Sequence, residues 1–242
     1  MAFGQFGGMQ WQMDGDVITV KMGPPSVWSQ QAVTGAPYSG EQVSDRVQTL
    51  GDGTHIKSLP QNTQRTWRDS QGRTRTEQLL TMNLQPMKDG EYVLAAIIDP
   101  VAGFTYILDN TNKIAHRYAI TAPPAPHQTV APSGTPQPRW SSEDLGTQNM
   151  EGLSVQGTRQ TRTTPIGEVG NDQPIVSTSE IWYSPDLRIT VLRKSSDPRN
   201  GDDTTRFINV SRAEPESGLF AVPEGYAVVD GKESITVTVK KQ

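Results

Sequence analysis

Apolar and polar residues alternate over short runs, and the alternation is clearest in residues 175–212. Residues 176–183 are rich in β-branched and aromatic side chains, which favour a half-buried strand. Leu187, Ile189 and Val191 recur at every second position, so a second strand is expected to bury one face and solvate the other. The pattern predicts consecutive hairpin strands rather than a helix.

A third strand and an apolar cap, residues 215–226, are predicted to follow. The Asn200-Gly201 pair is a strong hairpin signal, and residues 204–212 are expected to return beside the second strand. Pro223 and Gly225 then indicate a stiff turn behind a short apolar run. That run is predicted to act as a buried hydrophobic plug, and it contains Leu219, Phe220 and Val222.

The first half of the chain shows the same alternation of strands and turns. Turn residues at 51–53 and 70–72 predict two hairpins within residues 43–80. Residues 92–98 form the most continuously apolar stretch and are predicted to be a central strand covered on both faces. Two more strands are expected at 104–108 and 113–120.

Other stretches interrupt or end this meander. Residues 121–140 are rich in proline, which gives no N–H to a β-ladder, so they are interpreted as a surface excursion rather than a linker between two sheets. Residues 1–36 are interpreted as an N-terminal docking segment, with a short strand at 17–22. Residues 141–146 carry a serine cap, acidic residues and a glycine stop, which predict one helical turn. The tail, residues 233–240, alternates and ends in lysines, as edge strands do.

Composition agrees with a mostly β chain, or at most a β-rich α+β chain. Of the 242 residues, 33% are hydrophobic, and the 22 glycines and 18 prolines fit many short strands joined by turns. All-β domains of about 200 to 250 residues are common. Residues 1–242 are therefore interpreted as one domain, built as a large antiparallel sheet of hairpins with little helix.

Several motifs resemble known bacterial proteins. The run LFAVPEGY at 219–226, placed after a strand pair, resembles the end of domains in the outer-membrane lipoprotein carrier superfamily. Four further segments are similar to a subgroup of uncharacterised exported bacterial proteins: GAPYS at 35–39, RDSQGR at 68–73, DPVAG at 99–103 and WYSPDL at 182–187. The superfamily resemblance covers the C-terminal third, and the subgroup resemblance covers most of the chain.

The resemblance implies a curved, half-barrel-like sheet whose concave face holds an acyl chain, a lipid or an apolar partner segment. The covering helices of the superfamily have no clear counterpart in this sequence, so either the N-terminal segment covers that face or no ligand pocket forms there. The resemblance also implies a periplasmic or secreted protein whose signal peptide is absent from this sequence; a cytosolic protein is the alternative. The candidates for lining the ligand pocket are Tyr92, Leu94, Ile97, Phe104, Ile107, Ile181, Leu187, Ile189, Val191 and Phe207; filling a closed core is the alternative role of these side chains.

Charge and motifs narrow the functional classes. The net charge of −4 does not favour nucleic acid as a partner. Four arginines around Trp67 in residues 65–75 could form a stacking platform for nucleic acid, but a solvated hairpin explains them as well. The chain has no cysteine, no run of about 18 apolar residues that would predict a transmembrane segment, and no nucleophile or phosphate-binding motif.

Metal binding is also not predicted. The histidines at 55, 116 and 127 are far apart in the sequence and are interpreted as ordinary side chains. The oxygen-rich turn at 197–203 lacks the spacing of the known calcium loop, and its Asn-Gly pair already explains the turn. No catalytic residue, metal or cofactor is therefore predicted.

Two functions remain in view. The first is a non-catalytic exported binding module for an acyl chain, a lipid or an apolar partner segment. The second is a structural or surface-assembly protein that self-associates through edge strands and through an aromatic, glycine-rich N-terminus containing Phe3, Phe6 and Trp11. An enzyme ranks last, because no candidate nucleophile or metal set is found.

Overall fold

The fold is almost entirely β. A computed structural model describes residues 2–6, 9–14, 17–22, 32–58, 64–78, 81–82, 85–86, 94–120, 139–231 and 235–240. Within these ranges the only helical element is a 3₁₀ turn, Ser217–Phe220. The prediction of a mostly β chain with a large, curved, half-barrel-like sheet is confirmed.

The strands of the first half are β1 (Ala2–Phe6), β2 (Met9–Asp14), β3 (Val17–Met22), β4 (Tyr38–Thr49), β5 (His55–Ser58), β6 (Gln64–Arg68), β7 (Thr74–Gln78), β8 (Thr81–Met82), β9 (Gln85–Pro86), β10 (Leu94–Asp99), β11 (Phe104–Asp109) and β12 (Ile114–Ala119). Those of the second half are β13 (Arg139–Met150), β14 (Leu153–Thr164), β15 (Ile175–Ser184), β16 (Ile189–Asp197), β17 (Gly201–Ser211), β18 (Ala227–Asp230) and β19 (Ile235–Lys240).

Thirteen strands form one open mixed sheet. Its order is β13-β14-β15-β16-β17-β4-β6-β7-β10-β11-β12-β18, with β5 beside β4. Neighbours are antiparallel except for β12 and β18, which are parallel. Strands from both sides of the proline-rich stretch therefore join the same sheet, while residues 121–138 themselves lie outside the described residues.

A second sheet joins the two ends of the sequence. Its order is β1-β2-β3-β19, so the predicted strand at 17–22 is confirmed, and the C-terminal strand is an edge strand as predicted. The hairpin of β1 and β2 was not predicted, because its glycines and glutamines carry no clear alternation. The docking role of residues 1–36 stays a prediction.

Most predicted hairpins are confirmed. Both hairpins within residues 43–80 form, and β15, β16 and β17 follow one another as consecutive antiparallel strands. Gly201 closes the β16–β17 turn with a φ of 88°, and an added Cβ would lie 2.4 Å from the Val47 carbonyl oxygen. Only glycine fits this close approach of β17 to β4.

The predicted helical turn at 141–146 is wrong. These residues belong to β13, which pairs with β14 along its whole length. The ladder outweighs the weak helix signal, and the serine and acidic side chains point into solvent. Gly146, expected to stop a helix, instead has a φ of 76° at a register shift that follows Asp144.

The expected coverage of residues 92–98 on both faces is also wrong for their described part. Ala95 and Ile97 are fully buried, whereas Ile98 is 45% exposed. These residues lie on β10, between β7 and β11, so they form an interior strand as predicted. Only one of its faces packs against the cap that follows β17, because Val222 and Tyr226 contact the cluster of Ala95 and Ile97.

Two apolar clusters stabilise the large sheet. The first contains Tyr38, Leu153, Val155, Trp182, Leu187, Val191 and Phe207. The second contains Ala95, Ile97, Leu108 and Ala115. Tyr38 and Ile97 lie on opposite faces of the sheet, because pairing is unbroken from β4 to β10. Tyr38 pairs with Arg68, and Ile97 pairs with Arg75. Arg68 itself pairs across the β6–β7 hairpin with the residue next to Arg75, and neighbouring residues of a strand point to opposite faces.

Small residues make room for aromatic rings in this packing. An added Cβ on Gly157 would lie 2.6 Å from the Trp182 ring, and one on Gly40 would lie 2.5 Å from the Phe207 ring. The Phe207 ring also meets Tyr38 edge-on, with 5.7 Å between ring centroids. The glycines at 40 and 157 are therefore part of the core.

A row of alternating charges crosses four strands at the end of the sheet. Glu143, Arg159, Glu180 and Lys194 occupy directly paired positions on β13, β14, β15 and β16. Arg159 lies 3.2 Å from Glu143 and 3.0 Å from Glu180, and Lys194 lies 3.6 Å from Glu180. Exposed pairs add at most about 1 kcal/mol each, but a one-residue slip would move every charge in a strand to the other face. The row therefore favours one register.

The cap after β17 crosses one face of the sheet. At one end Glu214 accepts hydrogen bonds from the backbone and hydroxyl of Ser70, and at the other the Tyr226 hydroxyl donates to Asn110. Phe220 is only 3% exposed, with the Arg73 guanidinium 5.2 Å from its ring. The predicted burial of the plug is confirmed for Phe220.

Truncation of Phe220 should therefore be costly. Phe220→Ala is expected to lower the free energy of unfolding by about 3 to 5 kcal/mol, because it leaves a cavity in a core site. Urea unfolding followed by circular dichroism measures the change. Trp140→Ala is the matched control, since Trp140 is 60% exposed and should cost less than about 1 kcal/mol. Equal effects of the two substitutions would contradict the burial of the plug.

Candidate functional site

The β6–β7 hairpin buries two arginines, one on each face of the sheet. Arg68 and Arg75 are each 5% exposed, so the prediction of solvated arginines in residues 65–75 is wrong for these two. Arg68 pairs with Tyr38, and Arg75 with Ile97, which places the two guanidinium groups on opposite faces. Buried guanidinium groups do not present a platform for nucleic acid.

Arg68 is held by main-chain oxygens rather than by a carboxylate. Its Nε and Nη2 atoms donate to the Ala36 carbonyl at 2.9 and 2.8 Å, and Nη2 also donates to the Leu187 carbonyl at 2.6 Å. Its guanidinium carbon lies 4.5 Å from the centre of the Tyr38 ring. Burial lowers the pKa of Arg68 and raises the pKa of Tyr38. Hydrogen bonds and the ring face compensate the desolvation of the charge.

Arg75 performs a similar task on the opposite face. It pairs with Glu77 at 2.8 Å within β7, and its Nη1 donates to the Leu219 carbonyl at 3.1 Å. The interaction fixes the 3₁₀ turn of the cap to the sheet. Each buried arginine therefore ties a segment outside the ladder to the β6–β7 hairpin.

Three of the four motif segments meet at Arg68. The Gly35 amide donates to the Ser70 carbonyl at 2.9 Å, which joins GAPYS to RDSQGR. The Leu187 carbonyl brings in WYSPDL, whose Ser184 is fully buried. We call this meeting of residues 35–39, 68–73 and 182–187 the Arg68 junction. The fourth segment, DPVAG, forms the separate β10–β11 turn, where Asp99 accepts from the amides of residues 101 and 102.

The RDSQGR turn is rigid because its aspartate is fully satisfied. Asp69 is 1% exposed and accepts from the amides of Gln71 and Arg73 at 3.0 and 2.8 Å. Its other oxygen accepts from Arg73 Nε at 2.6 Å. The Arg68 junction is therefore built on a preorganised turn. Sequence reasoning missed the role of Arg68, although the spaced motif segments were a signal for it.

An open cleft of about 390 Å³ lies beside the junction. One wall is the irregular segment before β4, and the other is the turn between β15 and β16. Most of its exposed wall is polar. The lining residues are Ala32, Val33, Thr34, Gly35, Ala36, Pro185, Asp186 and Arg188.

The charges at the cleft are not balanced. Asp186 lies 3.9 Å from Arg212, so it has a cation nearby. Arg188 is exposed, and within the described residues it forms no ion pair. Its φ of 54° lies in the left-handed region, which few non-glycine residues adopt and which is often associated with binding sites.

The nine described members of the predicted lining set are not brought to one surface. Leu187, Val191 and Phe207 are buried in the first cluster, with Ile189 packed against it. Ile97 is buried in the second cluster, and strand alternation places Phe104 on the same face. Leu94 and Ile107 lie on the opposite face to Ile97; Ile107 is 6% exposed. Ile181 is half-buried, and Tyr92 lies outside the described residues.

Other candidate chemistry is accounted for by local contacts. Asp197, in the oxygen-rich turn, pairs with Arg199 at 2.8 Å. His55 is within 3.0 Å of Thr49, His116 lies on β12, and residue 127 is outside the described ranges. Among the residues that the structure describes, no three histidine or carboxylate groups converge as metal ligands would. No helix in the described part is long and apolar enough to cross a membrane.

Comparison with sequences gives no match, either to a protein-family profile or to a curated protein. Among solved structures, a chain of the Pseudomonas aeruginosa MucA/MucB complex is 14% identical, with a TM-score of 0.40, over 77% of this chain and 56% of that chain. This chain therefore spans little more than half the length of that one.

Two other neighbours are similarly distant. An uncharacterised conserved protein from Thermus thermophilus is 8% identical, with a TM-score of 0.42, over 81% of this chain and 91% of that chain. The Mycobacterium tuberculosis lipoprotein LppX is 12% identical, with a TM-score of 0.28, over 75% of this chain and 90% of that chain. With scores of 0.42 or less, none of these similarities assigns a function. One of these neighbours is a lipoprotein, but at a TM-score of 0.28 it does not establish the predicted resemblance to the lipoprotein carrier superfamily, which stays a prediction.

Replacement of Arg68 by lysine should destabilise the protein although it keeps the charge. Arg68→Lys is expected to cost about 2 to 4 kcal/mol, because an ammonium group cannot reproduce the planar fork that reaches both carbonyls. Arg65→Lys is the control, since Arg65 is 35% exposed and lies 3.6 Å from Glu41; it should cost less than about 1 kcal/mol. Both values come from urea unfolding, and similar costs would contradict the clamping role of Arg68.

The Asp197 carboxylate should make stability depend on acid pH. Hydrogen bonds from the Arg199 side chain, and then from its amide, lower the pKa of Asp197 from 3.8 to about 2. Because the folded pKa is below the unfolded one, this stabilisation is present above about pH 4 and is lost as the pH falls through about 2. Unfolding free energies measured from pH 5 to 2 should therefore fall more steeply for the wild type than for Asp197→Asn. Parallel curves would contradict the assignment.

Proposed function

We propose that this chain is a non-catalytic, exported β-rich binding module and that its ligand binds in the cleft at the Arg68 junction. The observation that carries the proposal is that three separate motif segments, at 35–39, 68–73 and 182–187, are held together at the rim of one open cleft. Rigid turns that position irregular segments are the usual way in which a β scaffold presents a binding surface. The cleft volume of about 390 Å³ lies within the range of known ligand sites.

Of the proposed ligands, a partner segment fits this cleft better than an acyl chain does. An acyl chain offers no hydrogen bonds, so binding it against a mostly polar wall would leave polar groups desolvated. A polypeptide segment can bond to main-chain groups of residues 32–36 and still place an apolar side chain against Val33 or Pro185.

The predicted lining residues do not offer an acyl chain a single site either. Among the proposed lining residues Ile97, Leu187, Val191 and Phe207 are already buried against protein atoms. The half-buried members are Leu94, Phe104, Ile181 and Ile189, but Leu94 and Phe104 lie on opposite faces of the sheet, so these four side chains do not form one site for an acyl chain.

Self-association through edge strands is the second candidate. β13 is an edge of the large sheet in the described residues, and it is 12 residues long. The register shift after Asp144 interrupts the strand, a feature that commonly blunts edges, and antiparallel pairing of two copies near Glu143 would bring like charges together. This arrangement favours a binding module over assembly through β13. Light scattering of the purified chain distinguishes the two.

Occupation of the cleft can be tested with a bulky substitution. Thr34 is exposed and lines the cleft, so Thr34→Trp should fill it without disturbing the core. A ligand that binds the folded state raises stability by about 2.7 kcal/mol at one hundred times its dissociation constant. Melting curves with oleate, lysophosphatidylglycerol and apolar decapeptides, together with native mass spectrometry for a co-purified ligand, should identify at least one binder.

Thr34→Trp should abolish that binding, and Thr111→Trp should preserve it, because Thr111 is also exposed but lies in the β11–β12 turn. The proposal fails if no compound binds and no ligand co-purifies. It also fails if the Thr34→Trp variant binds as well as the wild type.

A further inference from the structure

The segment that forms one wall of the cleft leaves most of its backbone groups unpaired. Residues 32–37 belong to no strand, and the residues from 38 onward form β4. Within the described residues, the only backbone hydrogen bond from an amide of residues 32–36 is that of Gly35 to Ser70. The Ala36 carbonyl is taken by Arg68. Among the described residues, the amides of Val33 and Thr34 and the Thr34 carbonyl therefore have no backbone partner and can pair with a ligand, whereas the Val33 carbonyl packs against Gly72.

This segment is nevertheless held firmly in place. The Gly35 amide and the Ala36 carbonyl are anchored on the RDSQGR turn, and an added Cβ on Gly72 would lie 3.2 Å from both Ala32 Cβ and the Val33 carbonyl oxygen. A rigid backbone with free donors and acceptors loses little conformational entropy when a partner pairs with it. Extended peptides bind such backbones by adding a strand, with main-chain hydrogen bonds supplying affinity.

The opposite wall supplies the charge that selects the partner. Arg188 has no ion-pair partner in the described part of the chain, whereas Asp186 is near Arg212. An unmatched guanidinium group favours a carboxylate on the ligand through a local charge-assisted hydrogen bond. Arginine binds a carboxylate with two parallel hydrogen bonds, which adds geometric selectivity.

We propose that the cleft binds an extended polypeptide segment that pairs with the backbone of Val33 and Thr34 and places an acidic group on Arg188. This inference rests on the proposed function and names the ligand class of the same site. Gly35 bends the backbone with a φ of 70°, so the stretch open to pairing is short, and it matches about three residues of an extended partner. Acidic and β-branched residues should be enriched in the partner.

Selection from a randomised decapeptide library by messenger RNA display tests the inference without a known ligand. The wild-type protein should enrich peptides with an Asp, a Glu or a C-terminal carboxylate at a fixed distance from β-branched residues. Arg188→Glu should weaken those peptides at least tenfold and should enrich basic residues instead. Arg193→Glu is the matched control, because Arg193 is an exposed arginine of β16 that does not line the cleft, and it should keep the wild-type selection.

The backbone contact has its own pair of variants. Thr34→Pro removes the amide donor and should weaken a selected peptide at least tenfold, whereas Thr34→Ala retains the donor and should bind normally. Circular dichroism and the melting temperature establish that both variants fold; if Thr34→Pro does not fold, the charge reversal at Arg188 decides.

The inference is overturned if the wild type enriches no peptide, or if Arg188→Glu and wild type enrich the same peptides. Failure of the proposed function is distinguishable from these outcomes. If a lipid binds and Thr34→Trp blocks it while no peptide is enriched, the cleft is a binding site and only its ligand class is wrong. If neither lipid nor peptide binds, both proposals fail.

Discussion

Burial of a guanidinium group requires hydrogen-bond acceptors, and this requirement organises the large sheet. Arg68 and Arg75 project from opposite faces of one hairpin. Besides Glu77, which pairs with Arg75 within β7, their acceptors are carbonyl groups of Ala36, Leu187 and Leu219, which all lie outside the ladder. Because a guanidinium group left without partners would cost several kcal/mol, these segments must dock on the sheet. Two charges thereby determine where the irregular parts of the chain run.

The same constraint explains the unequal roles of the two faces. On one face Arg75 fixes the cap, whose Val222 and Tyr226 cover the apolar cluster around Ile97. On the other face Arg68 joins two turns that do not close over each other, and the cleft remains between them. The first arrangement protects a core, while the second leaves backbone and charge accessible. The position of the proposed binding cleft beside Arg68 rather than Arg75 follows from this difference.

Local patterns predicted the strands well, because alternation and turn residues act over a few positions. The three strands after Ile175 and the burial of Phe220 needed nothing beyond such signals. The pattern failed where tertiary contacts decide. Residues 141–146 carry the sequence signal of a helix start, but they pair with β14. Arg68 is predicted to be solvated, but carbonyl groups 119 and 32 residues away in the sequence accept its hydrogen bonds. Periodicity carries no information on such partners, and only the spaced motif segments hinted that they meet.

The pairing of β4 with β17 has a consequence for the time course of folding. Its contacts join residues about 160 positions apart, such as Ser44 and Thr205, and the Phe207 ring must settle over Gly40 there. Local hairpins on either side can form within microseconds, but closure of so long a loop is slow. The Leu187 carbonyl and Arg68 come from opposite sides of this seam. The cleft is therefore assembled late, and a nascent chain would acquire its binding surface only after the seam has closed.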